Sequence, residues 1–271
     1  MSNRNYQYLD PDLDPRKAAD HTLLVQAGTD SFSFAVTDGK RLLLLSNNLS
    51  LDELNGQSDD DDLLFGNYGR KIIALSPAGF TFVPSGIFSP EKVADLARFL
   101  DVKSSEKVFS HPLDTENQVV FKVCGALADK IAANFDLQDV VFGASGWIKS
   151  ISNSGPGDSN LYLNLSGNKV EILNFKEGKL RFYNAFEFMS EDELAYFTTI
   201  VGGDLQIAAD NITLYLSGDV EADDKNFNRL RKFFSRVDLN SIKPLKLPSR
   251  YASHPSLKLT ALALCGSSAA H

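Results

Sequence analysis

The chain has 271 residues, 43% of them hydrophobic and 23% charged, which is enough to bury two cores of ordinary domain size. A formal net charge of -8 and a pI near 5.0 speak against nucleic acid as a partner, because a phosphate backbone is attracted by Lys and Arg. The two cysteines, Cys124 and Cys265, stand far apart in apolar surroundings, which excludes a disulfide framework or a CxxC metal site and reads them as buried fillers.

Residues 1–20 are polar and interrupted by Pro11 and Pro15, and read as a flexible N-terminal arm. They hold no apolar core of signal-peptide length, and no later segment approaches a membrane span, so the expectation is a cytoplasmic protein without membrane insertion. Strands follow over Leu23–Gln26, Ser31–Val36 and Arg41–Ser46, separated by turns at Gly28 and at Asp38-Gly39. The acidic run Asp59–Asp62 lies in a polar linker, and its adjacent carboxylates lack the alternating spacing of a calcium loop. "KIIALS" and "FTFVP" around Pro77-Ala78-Gly79 predict a hairpin from Ile72 to Pro84. In "SPEKVADLARFL" Ser89 is a candidate cap and Pro90 suits the first helical position. A strand over Val119–Val123, a helix over Gly125–Phe135 and a short strand over Val140–Phe142 complete this half.

The second half repeats the order. Strands fit at Asn160–Leu165, Lys169–Phe175 and Lys179–Phe186. Ser190 and Glu193 then stand at capping-box spacing. "NITLYLSG" reads as a buried strand, "DDKNFNRLRKFFSRV" as one amphipathic helix carrying Phe227, Leu230, Phe234 and Val237, "PLKLP" as a last strand, and a helix runs from His254 to about Cys265. Landmarks pair across the halves: Gln26 with Asn164, Gly28 with Ser166, Thr29 with Gly167, and Ser89 with Ser190. The order of elements is that of a ribonuclease H-like unit, so the predicted domains are 21–153, with the acidic loop and the hairpin as insertions, and 154–271 after the Gly155-Pro156-Gly157 break.

Two tandem ribonuclease H-like domains with α/β mixed sheets, facing each other across a cleft, make an actin-like ATPase architecture. The chain resembles that superfamily from Thr22 onward, above all an uncharacterised bacterial family related to pilus-assembly and cell-division actin homologues. In the superfamily an Asp ends each first strand and orients the water shell of Mg²⁺, while Gly and backbone N–H groups approach phosphate. Gln26 and Asn164 stand at those Asp positions. Gly28 and Thr29 keep the first turn, Ser166 and Gly167 replace the second, and Ser217 and Gly218 replace the glycine pair expected to bind adenosine. The resemblance implies ATP and Mg²⁺ as cofactors at these eight residues. The neutral amides imply that most catalysis is gone, because phosphoryl transfer needs a metal to neutralise developing charge. The competing reading of Gly28, Gly167 and Gly218 is that they serve only tight turns.

Other chemistries find no support. A two-metal nuclease needs an acid on the first strand, where Gln26 stands. "GASGWIKS" matches neither GxxxxGK[ST] nor GxSxG, and leads from a strand into a helix. His21, His111, His254 and His271 sit singly and read as surface or capping residues. The basic stretch from Arg229 to Arg250 reads as a solvated face. Trp147 and the many Phe residues read as core. The expectation is therefore a catalytically degenerate actin-like protein without catalytic or metal-ligating residues or a bound cofactor, acting as an intracellular scaffold or adaptor for another protein. The alternative is a nucleotide-binding actin-like ATPase or kinase with altered phosphate and metal motifs.

Overall fold

In the computed structural model, which describes residues 6–55 and 63–265, the chain divides into two compact units, one running to Gly146 and rejoined by the segment from Leu262, the other spanning Trp147–Ala261. The acidic run Asp59–Asp62 lies outside the described residues.

The first unit is built on strands β1 (Tyr8–Leu9), β2 (Thr22–Ala27), β3 (Ser31–Thr37), β4 (Leu42–Ser50), β5 (Arg70–Leu75), β6 (Gly79–Pro84), β7 (Glu106–Pro112), β8 (Asn117–Cys124) and β9 (Val140–Phe142), with helices α1 (Val93–Ala97) and α2 (Gly125–Ala132). Its main sheet has the order β1-β4-β3-β2-β5-β9. β2, β3 and β4 pair antiparallel, and β5 and β9 add in parallel. β2, with Leu23, Leu24 and Val25 fully buried, is the continuous apolar run expected of a strand covered on both faces. A second sheet, β6-β8-β7, brings Phe80, Phe82 and Phe121 around Phe142 at centroid distances of 5.3–6.2 Å.

Several expectations are corrected here. The N-terminal segment is not a loose arm from Tyr8 on. β1 pairs with β4, Gln7 exchanges side-chain hydrogen bonds with the Asn47 backbone, and residues 15–20 form a 3₁₀ turn burying Ala18. This covers the β4 edge, whose unpaired backbone groups would otherwise invite another strand. The Ile72–Pro84 hairpin does not form. β5 joins the main sheet and β6 the small one, because the Ser76 N–H donates to Ala27 while the Ala78 N–H donates to Lys122, so Pro77 marks a change of sheet. β5, not Val119–Val123, is therefore the fourth strand of the main sheet, and β7 is a strand the sequence pattern missed. Ser89 makes no capping bond and its helix, α1, is five residues long. It follows β5 in the chain, so it has no counterpart relation to Ser190. Cys124 is exposed and Cys265 half-buried.

The second unit contains helix α3 (Ser145–Asn153), whose residues from Trp147 belong to it, then strands β10 (Asn160–Ser166), β11 (Lys169–Lys176) and β12 (Lys179–Glu187), helix α4 (Glu191–Asp204), strand β13 (Thr213–Gly218), helix α5 (Lys225–Leu230), strand β14 (Arg236–Leu239) and helix α6 (Leu257–Thr260). Its sheet order, β12-β11-β10-β13-β14, is the order of the first unit's main sheet without β1. Alternation along the strands turns Leu161, Leu163, Leu165, Val170, Ile172, Leu214 and Leu216 to one face, where they form a core with Leu194, Val201, Phe227 and Leu230 of α4 and α5. Ser190 caps α4, its Oγ accepting from the Glu193 N–H at 3.3 Å, while Glu193 Oε2 accepts at 2.7 Å from the Met189 N–H, one residue before the Ser190 N–H that a capping box would use. As expected, "GASGWIKS" leads into a helix, α3, and Trp147 is fully buried. The long helix read through Val237 ends instead at Leu230. Arg236–Leu239 pairs in parallel with Thr213–Leu216, and Val237 and Leu239 alternate along that strand. "PLKLP" is irregular, and His254, expected at the surface, is 4% exposed.

Candidate functional site

The eight residues singled out in the sequence fall at equivalent places in the two sheets. In the first unit Gln26 pairs with Ser33 on β3 and with Ala74 on β5. Gly28 and Thr29 form the β2–β3 turn, in which the Gly28 N–H donates to the Ser31 carbonyl at 2.9 Å and Thr29 Oγ1 donates to Asp30 at 2.9 Å. A methyl group built at Gly28 would meet only ordinary contacts, at 3.7 Å from the Ser31 oxygen and 3.8 Å from Ser76 Oγ.

In the second unit Asn164 pairs with Glu171 on β11 and with Ser217 on β13. Period-two alternation places these on the face of the sheet opposite the leucine core. All are buried. Glu171 is the hub. Its Oε2 accepts from Asn164 Nδ2 at 2.9 Å and from Lys258 Nζ of α6 at 2.5 Å, and its Oε1 accepts from the Tyr183 hydroxyl at 2.6 Å. The Lys258 and Glu171 side chains are 11% and 12% exposed, so the carboxylate leaves water only because it gains three donors, one of them cationic. Burial, then the neighbouring Glu171 charge and the hydrogen bond made to it, hold the Tyr183 hydroxyl well above the ordinary tyrosine range of 10.0. The buried Trp147 ring stands edge-on to Tyr183 at 6.5 Å. Ser217 is fully buried, and its hydroxyl has no hydrogen-bond partner among the described residues.

The loops above this network are also tied down. Ser166 and Gly167 lead out of β10, with Gly167 at φ +57°. Gly218 has φ +83°, and a Cβ there would lie 2.0 Å from the Leu165 carbonyl oxygen, so only glycine lets β13 pass β10 so closely. Directly after it, the Asp219 N–H donates to Leu165 O at 2.9 Å, and the Asp219 carboxylate accepts from the Gly167 N–H at 3.0 Å. The structure thus brings Asn164, Ser166, Gly167, Ser217 and Gly218 together in one unit and Gln26, Gly28 and Thr29 together in the other.

Sequence reasoning missed Glu171, Tyr183 and Lys258. The signal for two of them was present: each is a lone charge inside an apolar run, "KVEILNF" and "SLKLTAL", where a charge is tolerated only with a partner. Among the described residues no group of three or more His, Cys, Asp or Glu side chains could hold a metal ion, and no helix is long and apolar enough to cross a membrane.

Residues 10–237 match the model of the family described as "Protein of unknown function (DUF3822)". The chain belongs to this family. Among solved structures, the fold is similar to that of a Bacteroides thetaiotaomicron VPI-5482 protein with an actin-like ATPase fold and unknown function, with a TM-score of 0.76 at 20% identity over 93% of this chain and 99% of that one. It is similar also to the PilM–PilN type IV pilus biogenesis complex, with a TM-score of 0.56 at 11% identity over 90% and 97% of the two chains. A search of the curated proteins by sequence finds no match. The chain thus has an actin-like ATPase fold, as the resemblance implied. At these identities the similarity concerns the fold, and function rests on the site.

Proposed function

We propose that this protein is a catalytically degenerate actin-like protein that works as an intracellular, cytoplasmic scaffold or adaptor, binding another protein instead of turning over nucleotide. The observation that carries the reading is that both polar groups of the second unit's loop are already engaged by carboxylates of the chain itself. The Asn164 amide donates to Glu171, and the Gly167 N–H donates to Asp219. In the superfamily pattern the first position orients the water around Mg²⁺ and the second approaches phosphate. Here a cation is already supplied by Lys258 and an anion by Asp219. A divalent metal would meet a Glu171 carboxylate already neutralised by Lys258, and a phosphate would meet the Asp219 carboxylate. The first offers the metal no net negative charge, and the second is repulsive. These charges speak against a metal–triphosphate in this unit. A protein partner is supported by the likeness to a fold solved in the PilM–PilN complex.

The alternative, a nucleotide-binding ATPase or kinase with altered motifs, draws on one observation, the buried Ser217 hydroxyl beside Asn164 without a partner. Thermal-shift and calorimetric titration with ATP, ADP and a non-hydrolysable analogue, each with and without Mg²⁺, separates the two, since ligand binding to the native state raises the melting temperature. The scaffold reading expects no metal-dependent shift at millimolar nucleotide. A Mg²⁺-dependent shift with micromolar affinity, or ATP turnover lost in Asn164→Ala, overturns it.

A further inference from the structure

Helix α4 carries exposed apolar side chains on the side opposite its buried face. Leu194, Ala195, Thr198, Val201 and Gly202 are buried in the second unit. Successive residues advance by 100° around a helix of 3.6 residues per turn, so the side opposite that stripe carries, with Met189 just before the extended Ser190 cap, Tyr196 and Ile200 of the helix itself. These are 92%, 60% and 40% exposed. A solvated helix face carries charged side chains, and a second apolar stripe is what a helix shows when something packs on it. Tyr196 is held in place at its base by edge-on contact with Phe197 at 5.7 Å, and Phe197 in turn stacks on Phe186 at 5.0 Å. A large, rigidly mounted, solvent-facing aromatic is a characteristic binding anchor. One turn beyond Ile200 the stripe ends at Gly203, where a Cβ would meet nothing within 4 Å, leaving the backbone open to close approach.

The two flanks of the stripe differ in charge. On one side Asp192 is bonded to Arg229 of α5 at 2.5 Å. On the other lie Glu193 and Asp204, eleven residues or about 16 Å apart along the axis. A second copy packing its own α4 here would bring these acids against each other. We propose that the exposed face of α4 docks an amphipathic helix of a partner protein, one that lays an apolar stripe over Met189, Tyr196 and Ile200 and sets Lys or Arg, about three turns apart, against Glu193 and Asp204. This deepens the scaffold reading and rests on it, by giving the partner-binding surface and the partner's chemistry.

The test uses the full chain and two labelled 15-residue model helices of identical pattern, one of Leu and Lys, the other of Leu and Glu, read by fluorescence anisotropy. The Leu/Lys helix is expected to bind and the Leu/Glu helix to fail. Tyr196→Ser combined with Ile200→Ser should weaken the Leu/Lys affinity at least tenfold, and Asp204→Lys several-fold, each with an unchanged melting temperature because the residues are exposed. Equal binding to the wild type and the Tyr196/Ile200 variant overturns the proposal, as does absence of binding at millimolar peptide. Sedimentation that shows a wild-type dimer abolished by the same double substitution overturns it too, by making a second copy the occupant. A failed peptide assay without any nucleotide-induced thermal shift removes the α4 surface alone, whereas a Mg²⁺-dependent shift removes the scaffold reading beneath it.

Discussion

The first hairpins of the two units share a topology and differ in what surrounds it. Register makes the comparison position by position: Gln26, Ser33, Ala74 and Ser76 stand where the second unit has Asn164, Glu171, Ser217 and Asp219. The backbone is so alike that the Ser76 N–H donates to Ala27 as the Asp219 N–H donates to Leu165, both at 2.9 Å. Yet the first set is neutral, and Ser33 Oγ merely accepts from the Asn48 backbone at 3.1 Å. The second set carries a buried carboxylate, an ammonium from α6 and a second carboxylate at the loop. One sheet topology thus supports either a plain turn or a wired polar network, and the difference lies in three or four side chains.

Removing the cation should produce the largest effect. Lys258→Met strands Glu171 in a buried site and should cost about 3–5 kcal/mol in chemical denaturation. Adding Glu171→Gln should return a large part of that loss. Ser33→Ala, at the first-unit position that matches Glu171, should cost only about 1 kcal/mol for its hydrogen bond. If the two variants lose equal stability, the contrast between the hairpins is wrong.

The glycines sharpen the same contrast at a smaller scale. Gly218→Ala imposes both a left-handed backbone conformation and a clash with Leu165, and should lower stability by at least about 1–3 kcal/mol. Gly28→Ala, which makes only ordinary van der Waals contacts and has no positive φ, should change stability by roughly 0.5 kcal/mol. Melting curves of the pair decide this, and equal losses would mean that Gly28 is as constrained as Gly218.

The smallest predicted effect concerns the helices whose caps the sequence likened. Ser190→Ala removes a capping bond and should cost about 1 kcal/mol, whereas Ser89→Ala removes none and should be neutral in the same assay.

The second unit was legible nearly strand by strand because little interrupts it: β10, β11 and β12 follow one another through two-residue turns, and β13 is a single apolar run. The first unit was harder because β6, β7 and β8 are inserted between β5 and β9. "KIIALS" and "FTFVP" look like the arms of a hairpin when only their spacing is read, since periodicity records which residues are apolar and not which sheet a strand joins. The misread helix through Val237 has a similar origin. Phe234 and Val237 fit a helical period, while Val237 and Leu239 fit a strand equally well, and the parallel pairing with β13 decides between them.

The candidate site divides along the same line. The neutral amides of Gln26 and Asn164 are written in the chain, as are the glycine turns and the Ser190 cap, because each depends on residues close in sequence. The partnership of Glu171 with Lys258 spans 87 residues, and that of Gly167 with Asp219 spans 52. Neither has a local signature, since a hydrogen bond constrains distance in space and leaves separation along the chain free. The sequence by itself determined two α/β units with the actin-like order of strands and a neutral amide at matching positions of their first strands. Only the tertiary structure decided that one of those loops is closed by charges of its own, because burial makes an unpaired carboxylate untenable and the folded sheet alone brings its partners within reach.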